Sequence, residues 1–68
     1  MPRIKEVRKL IYEKYNSEAE MASRIGWSKQ RLNRITNGAK RPSLRDISEL
    51  SIGLEIDATE LARIFLLQ

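Results

Sequence analysis

Lys29 and Asn33 stand four residues apart, as do Gln30 and Arg34, a spacing that puts all four on one side of a helix. A guanidinium donates two parallel hydrogen bonds to neighbouring acceptors, and a carboxamide offers one donor and one acceptor side by side. Groups of this kind recognise flat polar edges rather than break bonds. The segment around them carries one sign of charge. Residues 21–45 hold Arg24, Lys29, Arg31, Arg34, Lys40, Arg41 and Arg45 and no acid, for +7. Residues 1–20 come to +1 and residues 46–68 to −4, against +4 for the 68-residue chain. A chain made soluble by generic charge mixes its signs, so this separation points to a polyanion on one face.

The same composition excludes other chemistry. There is no histidine and no cysteine, so the usual zinc ligands and the commonest general base are absent. Gly26, Gly38 and Gly53 are too dispersed for a phosphate-cradling loop. No catalytic constellation, metal or cofactor is expected. The N-terminus has no stretch of signal-peptide length and no window of about 20 apolar residues, so the chain is expected to be cytoplasmic, with no membrane partner.

Five helices must position the face. Ile4, Val7, Ile11 and Tyr15 fall on one side of a first helix over about residues 3–15. Ser17 followed by Glu20 predicts a capping box that opens a second at Glu18, with Met21, Ala22 and Ile25 inward and a stop at Gly26. Ser28 caps a third helix over Lys29 to Thr36, with Leu32 and Ile35 buried, and Asn37-Gly38 ends it. Ala39-Lys40-Arg41-Pro42 forms a basic loop whose proline pushes Arg41 out of the helical region. Ser43 caps a fourth helix whose inner face is Leu44, Ile47, Leu50 and Leu54 and whose end Gly53 weakens. Asp57 caps a fifth that holds Leu61, Ile64 and Phe65. No run alternates with period two, so the expectation is an all-α, compact five-helix single domain over residues 1–68.

Two helices joined by so short a glycine turn, with polar side chains exposed on the second, match the helix-turn-helix unit, here over about residues 18–36, whose second helix enters the DNA major groove. On that reading Arg34 meets guanine O6 and N7, and Gln30 meets adenine N7 and N6. Lys29 and Asn33 read guanine and adenine, or position the protein on phosphate instead. Arg31 points to the flank and contacts backbone phosphate. Amides beside Ser17 and Ser28 offer further phosphate ligands. Trp27 takes the apolar turn position and reads as half-buried packing rather than a stacking platform. Tyr12 and Tyr15 read as core or rim.

These residues resemble the Cro/repressor-type helix-turn-helix proteins of phages and bacteria, also called the xenobiotic-response-element-like group. The resemblance spans nearly the whole chain. It rests on Ser17-Glu18-Ala19-Glu20-Met21-Ala22, Ile25-Gly26-Trp27-Ser28, Leu32-Asn33-Arg34-Ile35, Asn37-Gly38 and Pro42-Ser43-Leu44, then Leu54, Ile56 and Leu61. It implies a lambda-repressor-like DNA-binding domain and a transcriptional regulator, a repressor. It also implies a homodimer on a palindromic double-stranded DNA operator. Lys29, Gln30, Asn33 and Arg34 would then face bases, and Asn37, Lys40 and Arg41 match the phosphate-contacting loop. Two departures from the pattern involve three positions. Glu18 stands where the family usually has a phosphate-holding glutamine, and a carboxylate there repels phosphate unless Lys29 or Arg31 neutralises it. Thr36 and Ile11 replace a glutamate–arginine ion pair, for which apolar packing is the expected substitute.

The rival from another class is a protein-binding module, an antitoxin or adaptor whose main partner is another protein. Ile64-Phe65-Leu66-Leu67 is more apolar than a free end should be. Leu61, Ile64 and Phe65 are expected to close the core, which leaves Leu66 and Leu67 as candidate dimer contacts or as the cut end of a longer chain.

Overall fold

The computed structural model describes residues 4–67, which form five helices and, among the described residues, no strand. They are α1 (Lys5–Lys14), α2 (Glu18–Ile25), α3 (Lys29–Thr36), α4 (Leu44–Leu54) and α5 (Ala58–Leu66). The expected start of the first helix at residue 3 lies outside the described residues. Ile4 is the N-cap of α1 and is buried, its amide donating to the Thr36 carbonyl at 3.0 Å. The entry of the chain is thereby tied to the end of α3.

Local chemistry sets most of the boundaries. Ser17, Ser28 and Asp57 each accept a backbone N–H from the first turn of the helix they precede, which satisfies a donor that has no partner inside the helix. The capping box expected at Ser17 is only half formed. Ser17 Oγ accepts from Glu20 N at 3.1 Å, but the Glu20 carboxylate reaches past Ser17 to the amide of Asn16 at 2.6 Å. The complete box stands at α4, where Ser43 Oγ accepts from Asp46 N and Asp46 Oδ2 accepts from Ser43 N.

Val7, Ile11, Met21, Leu32, Ile35, Leu50 and Leu61 are fully buried, each worth about 1.5–3 kcal/mol relative to exposure. They join α1, α2, α3, α4 and α5 in one cluster, with Ile25, Ile64 and Phe65 partly buried against it. Leu44 departs from its expected place. It is 87% exposed, because the first residue of α4 lines an open groove beside α5 instead of the core.

Gly53 has a different purpose from a weak helix end. A Cβ there would lie 2.7 Å from Ile25 Cγ2 and 3.3 Å from Met21 Cε, so the bare backbone is what allows α4 to pass close to α2. Its carbonyl also accepts the Tyr15 hydroxyl at 2.7 Å. The helix ends one residue later, and its cap is Glu55 in the left-handed conformation at φ 56°.

Candidate nucleic-acid interface

Gly26, at φ 79°, turns the chain from α2 into α3, a conformation that costs glycine little and other residues more. The Trp27 amide then donates to the Ala22 carbonyl at 2.8 Å, which closes the turn. With Leu32, Ile35 and Thr36 buried, α3 presents Lys29, Gln30 and Arg34 to solvent, while Asn33 is half-buried. No acid stands in the first turn of α3. The basic loop folds back on the helix, since the Lys40 amide donates to the Arg34 carbonyl at 3.0 Å. Lys40 and Arg41 are exposed, and Asn37 is the half-buried C-cap. Ser17 and Ser28 use their Oγ atoms as cap acceptors, so each hydroxyl hydrogen is still oriented by rotation alone.

Arg31 is occupied within the protein. Its guanidinium lies 3.8 Å from the centre of the Trp27 ring and its Nη2 bonds Asp46 Oδ1 at 2.6 Å. Trp27 is more deeply enclosed than half-buried, at 6% exposure, and donates its indole N–H to Glu49 Oε1 at 2.8 Å. A cation stacked on an aromatic face and paired with a carboxylate is a strong and directional contact. Here it rivets the turn and α3 to the start of α4. Burial works to raise the Asp46 carboxyl, but the Ser43 amide, then the Arg31 guanidinium and the Ser43 hydroxyl, outweigh it and hold the group below its ordinary value.

A second polar cluster lies between α1, α2 and α3. Glu18 is buried, with 5% of its surface exposed. Its Oε1 accepts from Thr36 Oγ1 at 2.8 Å and from Asn33 Nδ2 at 3.0 Å, and its Oε2 pairs with Arg8 Nη1 at 3.4 Å. Two expectations are corrected by this cluster. The cation beside Glu18 is Arg8 of α1, not Lys29 or Arg31. At the two positions expected to pack apolarly, Ile11 is fully buried in the core as expected, whereas the Thr36 hydroxyl bonds the Glu18 carboxylate, which in turn pairs with Arg8. The Arg8 guanidinium also lies over the Tyr12 ring, 5.8 Å from its centre.

Arg8 and Glu49 carry no signal of these roles in the sequence, and Glu18 stands out there only as a carboxylate in place of a glutamine. Asp46, three residues after Ser43, carried a capping-box signal that was legible; the pairing of Arg8 with Glu18 had none, because it joins two helices at no fixed period.

Away from the basic face, Leu44, Leu66 and Leu67 are 87%, 76% and 77% exposed. Leu44 and Leu66 border a groove of about 630 Å³ whose floor includes Ile47, Ala62 and Phe65 and whose rim includes Lys40 and Arg41. Among the described residues no helix is long and apolar enough to cross a membrane, and no group of three or more acids could hold a metal ion.

A family model described as helix-turn-helix matches residues 4–61. No curated protein and no solved structure matches the chain.

Proposed function

The chain belongs to the helix-turn-helix family, and from that premise we propose a sequence-specific transcriptional repressor of Cro/repressor type, within the xenobiotic-response-element-like group. The fold is lambda-repressor-like, and the function is DNA binding of the transcription-regulator kind. The observation that carries the finer reading is the joint exposure of Lys29, Gln30 and Arg34 on a helix whose surroundings contain seven cations and no acid over residues 21–45. A duplex with one negative charge per about 1.7 Å attracts such a surface and repels the acidic segment behind it. In this reading α3 enters the major groove. Arg34 and Gln30 read base edges with Lys29 and Asn33, while Lys40, Arg41, Asn37, Ser17 and Ser28 meet phosphates. Arg31 acts chiefly by fixing α3 against α4.

The working form is a homodimer on a palindromic operator. One copy measures 26 × 25 × 21 Å, less than the roughly 34–36 Å that separates successive major-groove faces on one side of a duplex. A second copy supplies the second recognition helix, and exposed Leu66 and Leu67 support a contact near the end of α5. Such a regulator acts in the cytoplasm. The exposed leucines also favour a second reading, an antitoxin or adaptor whose main partner is a protein; that module shows no salt-dependent retention on DNA.

Paired substitutions test the assignment. Arg34→Ala relaxes base preference at one position, costing about 1–3 kcal/mol of discrimination. Arg41→Ala weakens binding to every duplex alike and lowers the slope of log affinity against log salt by about 0.9. Equal losses on all sequences for both variants contradict the base-reading role of Arg34.

A further inference from the structure

We propose that Glu18, a residue that faces no DNA itself, decides which bases Asn33 accepts. The inference rests on the reading of α3 as the base-contacting helix. Its starting point is the bond from Asn33 Nδ2 to Glu18 Oε1 at 3.0 Å. A carboxylate only accepts hydrogen bonds, whereas a carboxamide has one accepting and one donating end. The buried Glu18 side chain therefore fixes the half-buried Asn33 amide one way round, nitrogen inward. Thr36 Oγ1, which donates to the same Oε1 at 2.8 Å, and Arg8, against Oε2 at 3.4 Å, hold Glu18 still while it does so.

The end left for the groove is Oδ1. Phosphate oxygens only accept, so an outward carbonyl oxygen finds no bond on the DNA backbone. In the major groove the complementary groups are the exocyclic amines, N6 of adenine and N4 of cytosine, while guanine O6 and thymine O4 set oxygen against oxygen. Asn33 thus selects an amino-bearing base over a keto-bearing one, and Glu18 is the positioning residue behind that choice.

Glu18→Gln gives the opposite expectation. The Arg8 guanidinium draws the carbonyl oxygen of the new amide toward itself, which turns the new NH2 group toward Thr36 and Asn33. The Thr36 hydroxyl accepts as readily as it donates and adapts by rotation. Asn33 must reverse, presenting Oδ1 inward and Nδ2 to the groove, where guanine, with O6 and N7 both accepting, and thymine, with O4, suit it better than adenine, whose N6 amine stands beside its one acceptor N7, or cytosine, which offers only a donor.

The test is selection from a random duplex pool with the full chain and with Glu18→Gln and Asn33→Ala. Asn33→Ala identifies the position by losing preference there alone. At that position the unaltered protein chooses adenine or cytosine, and Glu18→Gln changes the choice to guanine or thymine. A second measurement uses only the unaltered protein. Replacing the chosen adenine by purine, or the chosen cytosine by 2-pyrimidinone, removes the exocyclic amine and lowers affinity about fivefold, the loss of one hydrogen bond. The proposal is overturned if Asn33→Ala leaves the selected sequence unchanged, if Glu18→Gln keeps the same letter and loses affinity for all duplexes equally, or if the amine can be deleted without loss. Failure of the unaltered protein to enrich any sequence overturns the base-reading function as well, and is recognised by that broader failure.

Discussion

Asp46 combines two attachments in one carboxylate. Its Oδ2 completes the capping box with Ser43 and its Oδ1 takes the guanidinium of Arg31. Its folded pKa is lowered, so its contribution to stability is fully present above the unfolded value of about 3.9 and is lost as pH falls through the lower folded value. Asp46→Asn is expected to cost about 1–2 kcal/mol at neutral pH, a figure held down by the solvent around Arg31, whose side chain is 38% exposed. Thermal melts of the two proteins should converge as the solution is made acidic; a gap that persists at low pH contradicts the ionic role. Among single residues, exposure was legible in the sequence and polar pairing was not. The alternation of Lys29, Gln30, Asn33 and Arg34 with Leu32 and Ile35 exposed the outward residues in advance, because helical period alone decides it. It could not tell that Asn33 and Arg31 are bound within the protein, since their partners Glu18 and Asp46 each lie 15 residues away and no local spacing encodes that distance.

Helix ends were the most legible part of the elements, because capping is settled between residues a few positions apart. Ser17, Ser28, Ser43, Asp57 and Gly26 all stand where their chemistry places them. Crossing geometry was not legible. Gly53 read as a helix weakener, while its backbone approaches Ile25 and Met21 too closely for a side chain. Leu44 fitted the periodic inner face of α4, yet period says nothing about where a neighbouring helix stops covering it. Gly53→Val should force α2 and α4 apart and destabilise the fold by about 2 kcal/mol, the usual order for overpacking. Denaturant unfolding checks it, and a midpoint unchanged from the parent chain contradicts the close crossing. Because α2 carries Glu18 and supports α3, the variant should also lose affinity for its DNA.

For the whole molecule, the separation of charge along the chain turns a modest excess of +4 into a face with a direction. The loop after α3 folds back on it through the Lys40 amide and the Arg34 carbonyl, and the acids at Asp46 and Glu49 are drawn into contacts with Arg31, Trp27 and Arg45. Replacing the exposed Leu66 and Leu67 together by Glu should leave the melting temperature of the isolated chain nearly unchanged, since surface changes usually stay within about 0.5 kcal/mol. The double variant should sediment as a monomer at concentrations where the parent chain sediments as a dimer with DNA present. A variant that still dimerises places the contact elsewhere.

If two copies of α3 read base edges one duplex turn apart, the sequences that the unaltered protein selects from a random duplex pool carry that spacing. The expected result is an inverted repeat with half-site centres about 10–10.5 base pairs apart. Recovery of a pool with no preferred sequence and no repeat would contradict it.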